Sequence, residues 1–201
     1  LQKIYYLGIY IYIYINIMML SLINNDKTDK NTTHSYIELY ELLLHSKKLT
    51  AKNILEIGIQ RGGSIKLWHD YFINATIYGL DIIPLTETWD KIQCELRIKL
   101  GRFDAYDVKF FNENFLGKVE FDMMLDDGPH TLESMKQFIT LYTQVMAHDG
   151  ILIIEDVQAI EWLDELTKVV PEYLKEYVST YDLRHIKNRY DDIVFVINKQ
   201  R

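Results

Sequence analysis

Asn53-Ile54-Leu55-Glu56-Ile57-Gly58-Ile59-Gln60-Arg61-Gly62-Gly63-Ser64 is a short apolar run, a glycine-bearing turn and a polar residue able to open a helix. Residues 53–58 read as a buried strand ending at Gly58, and residues 64–72 as the helix that follows. Gly58 permits a tight turn, and Gly62-Gly63 would let a ligand approach where a Cβ would collide. The Gly58 to Gly62 spacing is G-x-x-x-G, unlike the G-x-G-x-x-G of nicotinamide and flavin folds, and the lysine of a P-loop is missing. A loop of this kind alone can also be a bare packing turn.

The same alternation continues outward. Strand candidates are Thr76–Asp81, 96–100 closing at Gly101, 120–125, 151–154 after Gly150, 177–182 and 193–197. Between them lie helical patterns at 64–72, 132–146 and Trp162–Val169, and upstream one that Thr33 can cap, with Tyr36, Ile37, Tyr40, Leu43 and Leu44 on one face. Strands alternating with helices predict an α/β fold of right-handed βαβ units and a mostly parallel sheet. The last two strands sit close together in sequence and predict a terminal antiparallel hairpin. Neither an internal repeat nor a linker to a second domain interrupts the pattern.

A chain of 201 residues, 48% hydrophobic and 25% charged, has the size and composition of one globular domain. Its single cysteine, Cys94, excludes a disulfide scaffold and a thiolate metal cluster, and fits a reducing, intracellular setting. The net charge of −7 (22 Lys+Arg against 29 Asp+Glu) sets nucleic-acid partners at a discount. Residues 1–25 stand apart as an apolar, low-complexity segment, ahead of a domain at 26–201. The length of the apolar run suits a membrane anchor, but its Ile/Tyr alternation is a β-former pattern, and it lacks the cleavage site of a signal peptide. Alternating ATA and TAT codons also encode Ile-Tyr repeats, which favours upstream material outside the native fold over an anchor.

In parallel sheets ligands sit outside the carboxyl ends of the strands, so the polar residues just after each strand carry the chemistry. Asp81 ends the second strand, where a carboxylate can accept both hydroxyls of a ribose. With the glycine loop it reads as an adenosine site without a pyrophosphate, hence S-adenosylmethionine. The residues set against this cofactor are Glu56, Gly58, Gly62, Ser64, Asp81, Asp104 and Asp126, with Asp107 an equal candidate to Asp104 at the adenine edge. Asp127, Glu155 and Asp156 follow adjacent strands and can converge. Three acids without thiolates or paired histidines suit a hard divalent ion, Mg2+ before Mn2+ or Ca2+. The plainer reading makes Asp126–Pro129 a turn and Glu155-Asp156 a helix cap. Taken with the cofactor end, the set suits metal-assisted deprotonation of a hydroxyl, with His130 as general base.

Residues 53–81, with Trp68 and Tyr78-Gly79-Leu80-Asp81, resemble the first motifs of class I S-adenosylmethionine-dependent methyltransferases. Phe121-Asp122, Asp127-Gly128-Pro129-His130, Gly150 through Asp156, and Arg189-Tyr190-Asp191-Asp192 are similar to the group of macrolide deoxysugar O-methyltransferases and their cephalosporin-hydroxylase-like cousins. The resemblance covers residues 53–199. It implies a Rossmann-like, seven-stranded, mostly parallel sheet with helices on both faces and an antiparallel last strand, magnesium on Asp127, Glu155 and Asp156, and His130 as catalytic base. Two departures stand out: Pro129 replaces a serine, and Gly101-Arg102-Phe103-Asp104 replaces Gly-Asp-Gln-x-Asp, so the acceptor is expected to differ from a macrolide. The expected substrate is a small molecule carrying a sugar hydroxyl. Alternatives are a catechol-type O-methyltransferase or a non-catalytic adenosine-binding scaffold. A homo-oligomer is compatible with either.

Overall fold

The structure, a computed structural model, describes residues 19–200. The readings offered for residues 1–18 lie outside the described residues. Seven strands, β1 Asn53–Ile57, β2 Thr76–Asp81, β3 Ile98–Arg102, β4 Phe121–Asp126, β5 Met146–Ile154, β6 Val178–Asp182 and β7 Ile193–Asn198, form one sheet. Their order is β3-β2-β1-β4-β5-β7-β6. β7 runs antiparallel to both neighbours, β5 and β6, and the other pairs are parallel. The expected parallel sheet with one reversed last strand is therefore present. The chain winds from β1 to β3 on one side and restarts at β4 on the other. This opens a crevice between the carboxyl ends of β1 and β4.

Helices α1 Ile37–Leu44 and α2 Gly63–Tyr71 cover one face. On the other lie α4 Val108–Asn114, α5 Leu132–Tyr142 and α6 Trp162–Val169. The helices α3 Asp90–Gln93 and α7 Arg184–Lys187 are short. Successive residues of a central strand serve opposite faces: Ile54 and Met123 pack under Trp68 and Tyr40, while Leu55 and Met124 pack under Phe138 and Tyr142. Burial on both faces is why Met123–Leu125 of β4, Ile151–Ile154 of β5 and Ile193–Ile197 of β7 read as unbroken apolar runs. Among the described residues no helix is long and apolar enough to cross a membrane.

Several boundaries differ from the sequence reading. The first helix starts at Ile37, because residues 29–34 close a turn in which the Asp29 carbonyl accepts the N–H of Thr32, Thr33 and His34. That turn sends Lys30 inward. The third strand lies two residues later than expected, with Leu96 almost wholly exposed. Gly101 is inside it, opposite Leu80, and its missing Cβ makes room for the Leu80 and Phe103 side chains. α5 stops at Tyr142, and Met146 pairs with Phe121 as the start of β5. Upstream, Met19 is buried in the core, and Leu22 and Ile23 pack against it.

Candidate active site

Gly58 and Gly62 have φ of +82° and +80°, where a side chain is strained. A Cβ on Gly58 would collide with the Asp127 carbonyl, so this glycine lets the ends of β1 and β4 meet. At Gly62 and Gly63 the expected room for a ligand is taken by the chain itself, by Ile92 and by the Lys27 backbone. Asp81 secures the loop: Gln60 N–H donates to Oδ2 at 2.8 Å and Ile83 N–H to Oδ1 at 3.1 Å. The carboxylate keeps lone pairs to spare and is only half-buried.

Glu56 and Ser64 lie behind the loop. Glu56 is fully buried and accepts from Trp68 Nε1 at 2.8 Å and from the Ser64 hydroxyl. Burial pushes its carboxyl up to about 7, outweighing the Lys30 ammonium 3.6 Å away. After β3, Asp104 accepts from Tyr106 N–H at 2.9 Å, whereas Asp107 caps α4 through Phe110 N–H at 2.6 Å. Capping commits Asp107 and leaves Asp104 the freer of the two. Asp126 is buried beside Ile57, accepts from the Tyr106 hydroxyl at 2.5 Å, and is raised by burial to about 6.

The chemical end is built by two residues in left-handed backbone, His130 at φ +52° and Asp156 at φ +55°. Such conformations cost on the order of 1–3 kcal/mol each and persist where the surroundings require them. Here they turn the two side chains toward each other and toward Asp127: His130 Nε2 lies 3.1 Å from Asp127 Oδ1 and 3.5 Å from Asp156 Oδ2. Ligand atoms of Asp127, His130 and Asp156 all lie within 4.8 Å of one another. Glu155 is adjacent but turned inward, hydrogen-bonded by Lys30 and by the Tyr40 hydroxyl, while the Tyr36 hydroxyl donates to Asp156.

Lys30 was not anticipated. Its buried Nζ sits 2.7 Å from Asp127 Oδ2 and bonds Glu155 as well. Burial opposes its charge, yet Asp127, Glu155 and Glu56 together raise its pKa well above the ordinary value. Asp127 is held at about 2, because the Lys30 ammonium and the His130 hydrogen bond overcome burial. Glu155 goes the other way, raised by burial first and then by the Asp127 charge. Asp156 is also raised, chiefly by burial. Tyr36 and Tyr40 lie four apart on one helix face and read as core, but a buried tyrosine hydroxyl needs a partner, and that requirement was the available signal.

Three carboxylates, Glu56, Asp127 and Glu155, thus face the Lys30 ammonium, and a fourth, Asp156, lies beside them against His130. The negative surplus and the hard oxygen donors fit a divalent cation of the magnesium kind.

The fold is shared with solved methyltransferases. The chain superposes on the MycE methyltransferase of the mycinamycin pathway, solved with Mg, SAH and mycinamycin VI, with a TM-score of 0.66 at 20% identity, covering 85% of this chain and 50% of that one. The N-methyltransferase NodS of Bradyrhizobium japonicum gives a TM-score of 0.55 at 15% identity, with 86% and 96% covered. By sequence the chain resembles sugar O-methyltransferases. It is 32% identical over 117 residues to mycinamicin VI 2''-O-methyltransferase of Micromonospora griseorubida, covering 54% of this chain and 28% of that protein. It is 26% identical over 166 residues to 8-demethyl-8-alpha-L-rhamnosyl tetracenomycin-C 2'-O-methyltransferase of Streptomyces olivaceus, covering 76% and 42%. The chain thus spans less than half the length of these relatives. No family model matches it.

Proposed function

We propose that residues 26–201 form a magnesium- and S-adenosylmethionine-dependent O-methyltransferase acting on a hydroxyl of a sugar or sugar-bearing small molecule. The observation that carries this reading is the meeting of Asp127, His130 and Asp156 within 4.8 Å, next to the turn in which Gly58 abuts Asp127. Similarity to enzymes named for sugar hydroxyls supports the choice of acceptor.

Asp127 and Asp156, with Glu155 beside them, would hold the cation, which when bound lowers the pKa of a coordinated hydroxyl. S-adenosylmethionine brings both the methyl group and its own leaving group, so positioning is the protein's main task. Asp81 and the 58–62 turn would fix the adenosine end, and Asp126 with Asp104 would close its far side. His130 is the most open of its set, with its side chain 31% exposed against 21% for Asp127 and 8% for Asp156. Its Nε2–H donates to the Asp127 carboxylate, so Nδ1 is the nitrogen that can take the acceptor's proton. The buried Tyr36, Tyr40 and Lys30 hold the carboxylates in place.

The test is transfer of labelled methyl from the cofactor to nucleotide sugars, glycosides and catechols, with and without EDTA. Transfer to the sugars, lost in chelator and restored by Mg2+, is expected. Asp127→Ala should abolish it, and His130→Ala should slow it by roughly 10^2 to 10^4, the usual worth of a general base. Turnover retained in excess EDTA would remove the metal from the scheme, and preference for catechols would replace the acceptor.

A further inference from the structure

A second group of donors lies beside the first. His34, Asp156, Asp191 and Asp192 are all buried, and each offers a ligand atom within 4.8 Å of the others. They come from three pieces of chain: the turn at 29–34, the end of β5, and the residues entering β7. His34 Nδ1 stands 2.7 Å from Asp192 Oδ1 and 3.2 Å from Asp156 Oδ1. The Tyr36 hydroxyl also donates to Asp156, and Arg189 Nη2 reaches Asp191 Oδ2 at 2.8 Å.

These contacts leave the cluster short of donors. Asp191 Oδ1 and Asp192 Oδ2 are buried without a hydrogen-bond partner, and Asp192 is 0% exposed. Arg189 Nε is also unpartnered, so the guanidinium does not serve the orphaned oxygens. Three carboxylates therefore face one guanidinium and two imidazoles, His34 and, on the far oxygen of Asp156, His130. Unpaired carboxylate oxygens out of reach of water are costly, and buried charges are otherwise paired or bound to metal.

We propose that His34, Asp156, Asp191 and Asp192 bind a second divalent cation. One imidazole among carboxylates suits Mn2+ or Zn2+ better than Ca2+, which takes oxygen donors alone. Asp156 presents Oδ1 to His34 and Oδ2 to His130, so a single carboxylate lies between the two cation sites. The ion would tie the 29–34 turn, and Lys30 with it, to the ends of β5 and β7. Its role is to hold that turn against the sheet, independently of which acceptor the first site takes.

The test counts Mn2+ bound by the full chain, from the paramagnetic signal of free Mn2+ during titration. Wild type should bind two ions, with Asp192→Asn and His34→Gln each losing one and Asp127→Asn losing the other. A single ion in wild type that is lost in Asp127→Asn but kept in Asp192→Asn, or unchanged binding in both Asp192→Asn and His34→Gln, overturns the proposal. If Asp127→Asn binds as many ions as wild type while Asp192→Asn loses one, the second site stands and the first is refuted. Should those variants fail to fold, anomalous scattering from Mn2+-soaked wild-type crystals decides. A peak among His34, Asp191 and Asp192 supports the site, and a peak at Asp127 alone overturns it.

Discussion

Removing the Lys30 ammonium would leave Glu56, Asp127 and Glu155 facing one another in a buried space, with the hydrogen bond from Tyr40 still on Glu155. Breaking a buried ion pair from one side costs about 3–5 kcal/mol. Lys30→Met should lower stability by that order in EDTA, and added Mg2+ should recover more of it than it adds to wild type; urea unfolding with and without the ion measures both. Glu56 gives a separate signature. Its folded pKa of about 7 lies above the ordinary 4.5, so the folded state holds a proton that the unfolded chain releases. Its contribution therefore worsens as pH rises from about 4.5 to about 7, by up to about 3 kcal/mol. Glu56→Gln should flatten stability against pH over that window; an unchanged slope would show that another group sets it.

At the scale of elements, α5 begins directly after His130 and is held by a capping box. Thr131 Oγ1 accepts from Ser134 N–H at 3.1 Å, and the Ser134 hydroxyl meets Thr131 N–H at 3.3 Å. Thr131→Ala should cost about 1 kcal/mol in chemical denaturation, the usual worth of an N-cap. Elements with strong apolar runs or spacing, such as β4, β5, β7 and the body of α5, were legible in the sequence because burial on one or both faces imposes a period. Boundaries were less so. Gly101 reads as a turn, but it lies in a strand because its neighbours Leu80 and Phe103 need the space. The start of α1 was obscured because residues 29–34 satisfy their N–H groups on the Asp29 carbonyl, ahead of the helix.

For the whole molecule, the sheet order puts β2, β1, β4, β5 and β7 inside and β3 and β6 at its edges. Edge strands have one row of backbone groups unpaired, and both here are at most half-buried along their length. Hydrogen exchange should show the amides of β4 and β5 opening only with global unfolding, and those of β3 and β6 exchanging earlier through local opening. Equal protection across the sheet would contradict this order.

Alternating apolar runs and helical spacing were enough to specify an α/β sheet with a reversed final strand. Because ligands meet such a sheet at its carboxyl ends, they also pointed to Asp81, Asp127, His130, Glu155 and Asp156. Those inferences rest on local periodicity, which any stretch of chain reveals by itself. Tertiary structure alone brought Lys30 to Asp127 and Glu155, across 97 and 125 residues. It also turned Glu155 inward, filled the space at Gly62 and Gly63 with Ile92 and Lys27, and set His34 against Asp192. Contacts between residues so distant in the chain depend on how whole elements pack, and no spacing along the sequence encodes them.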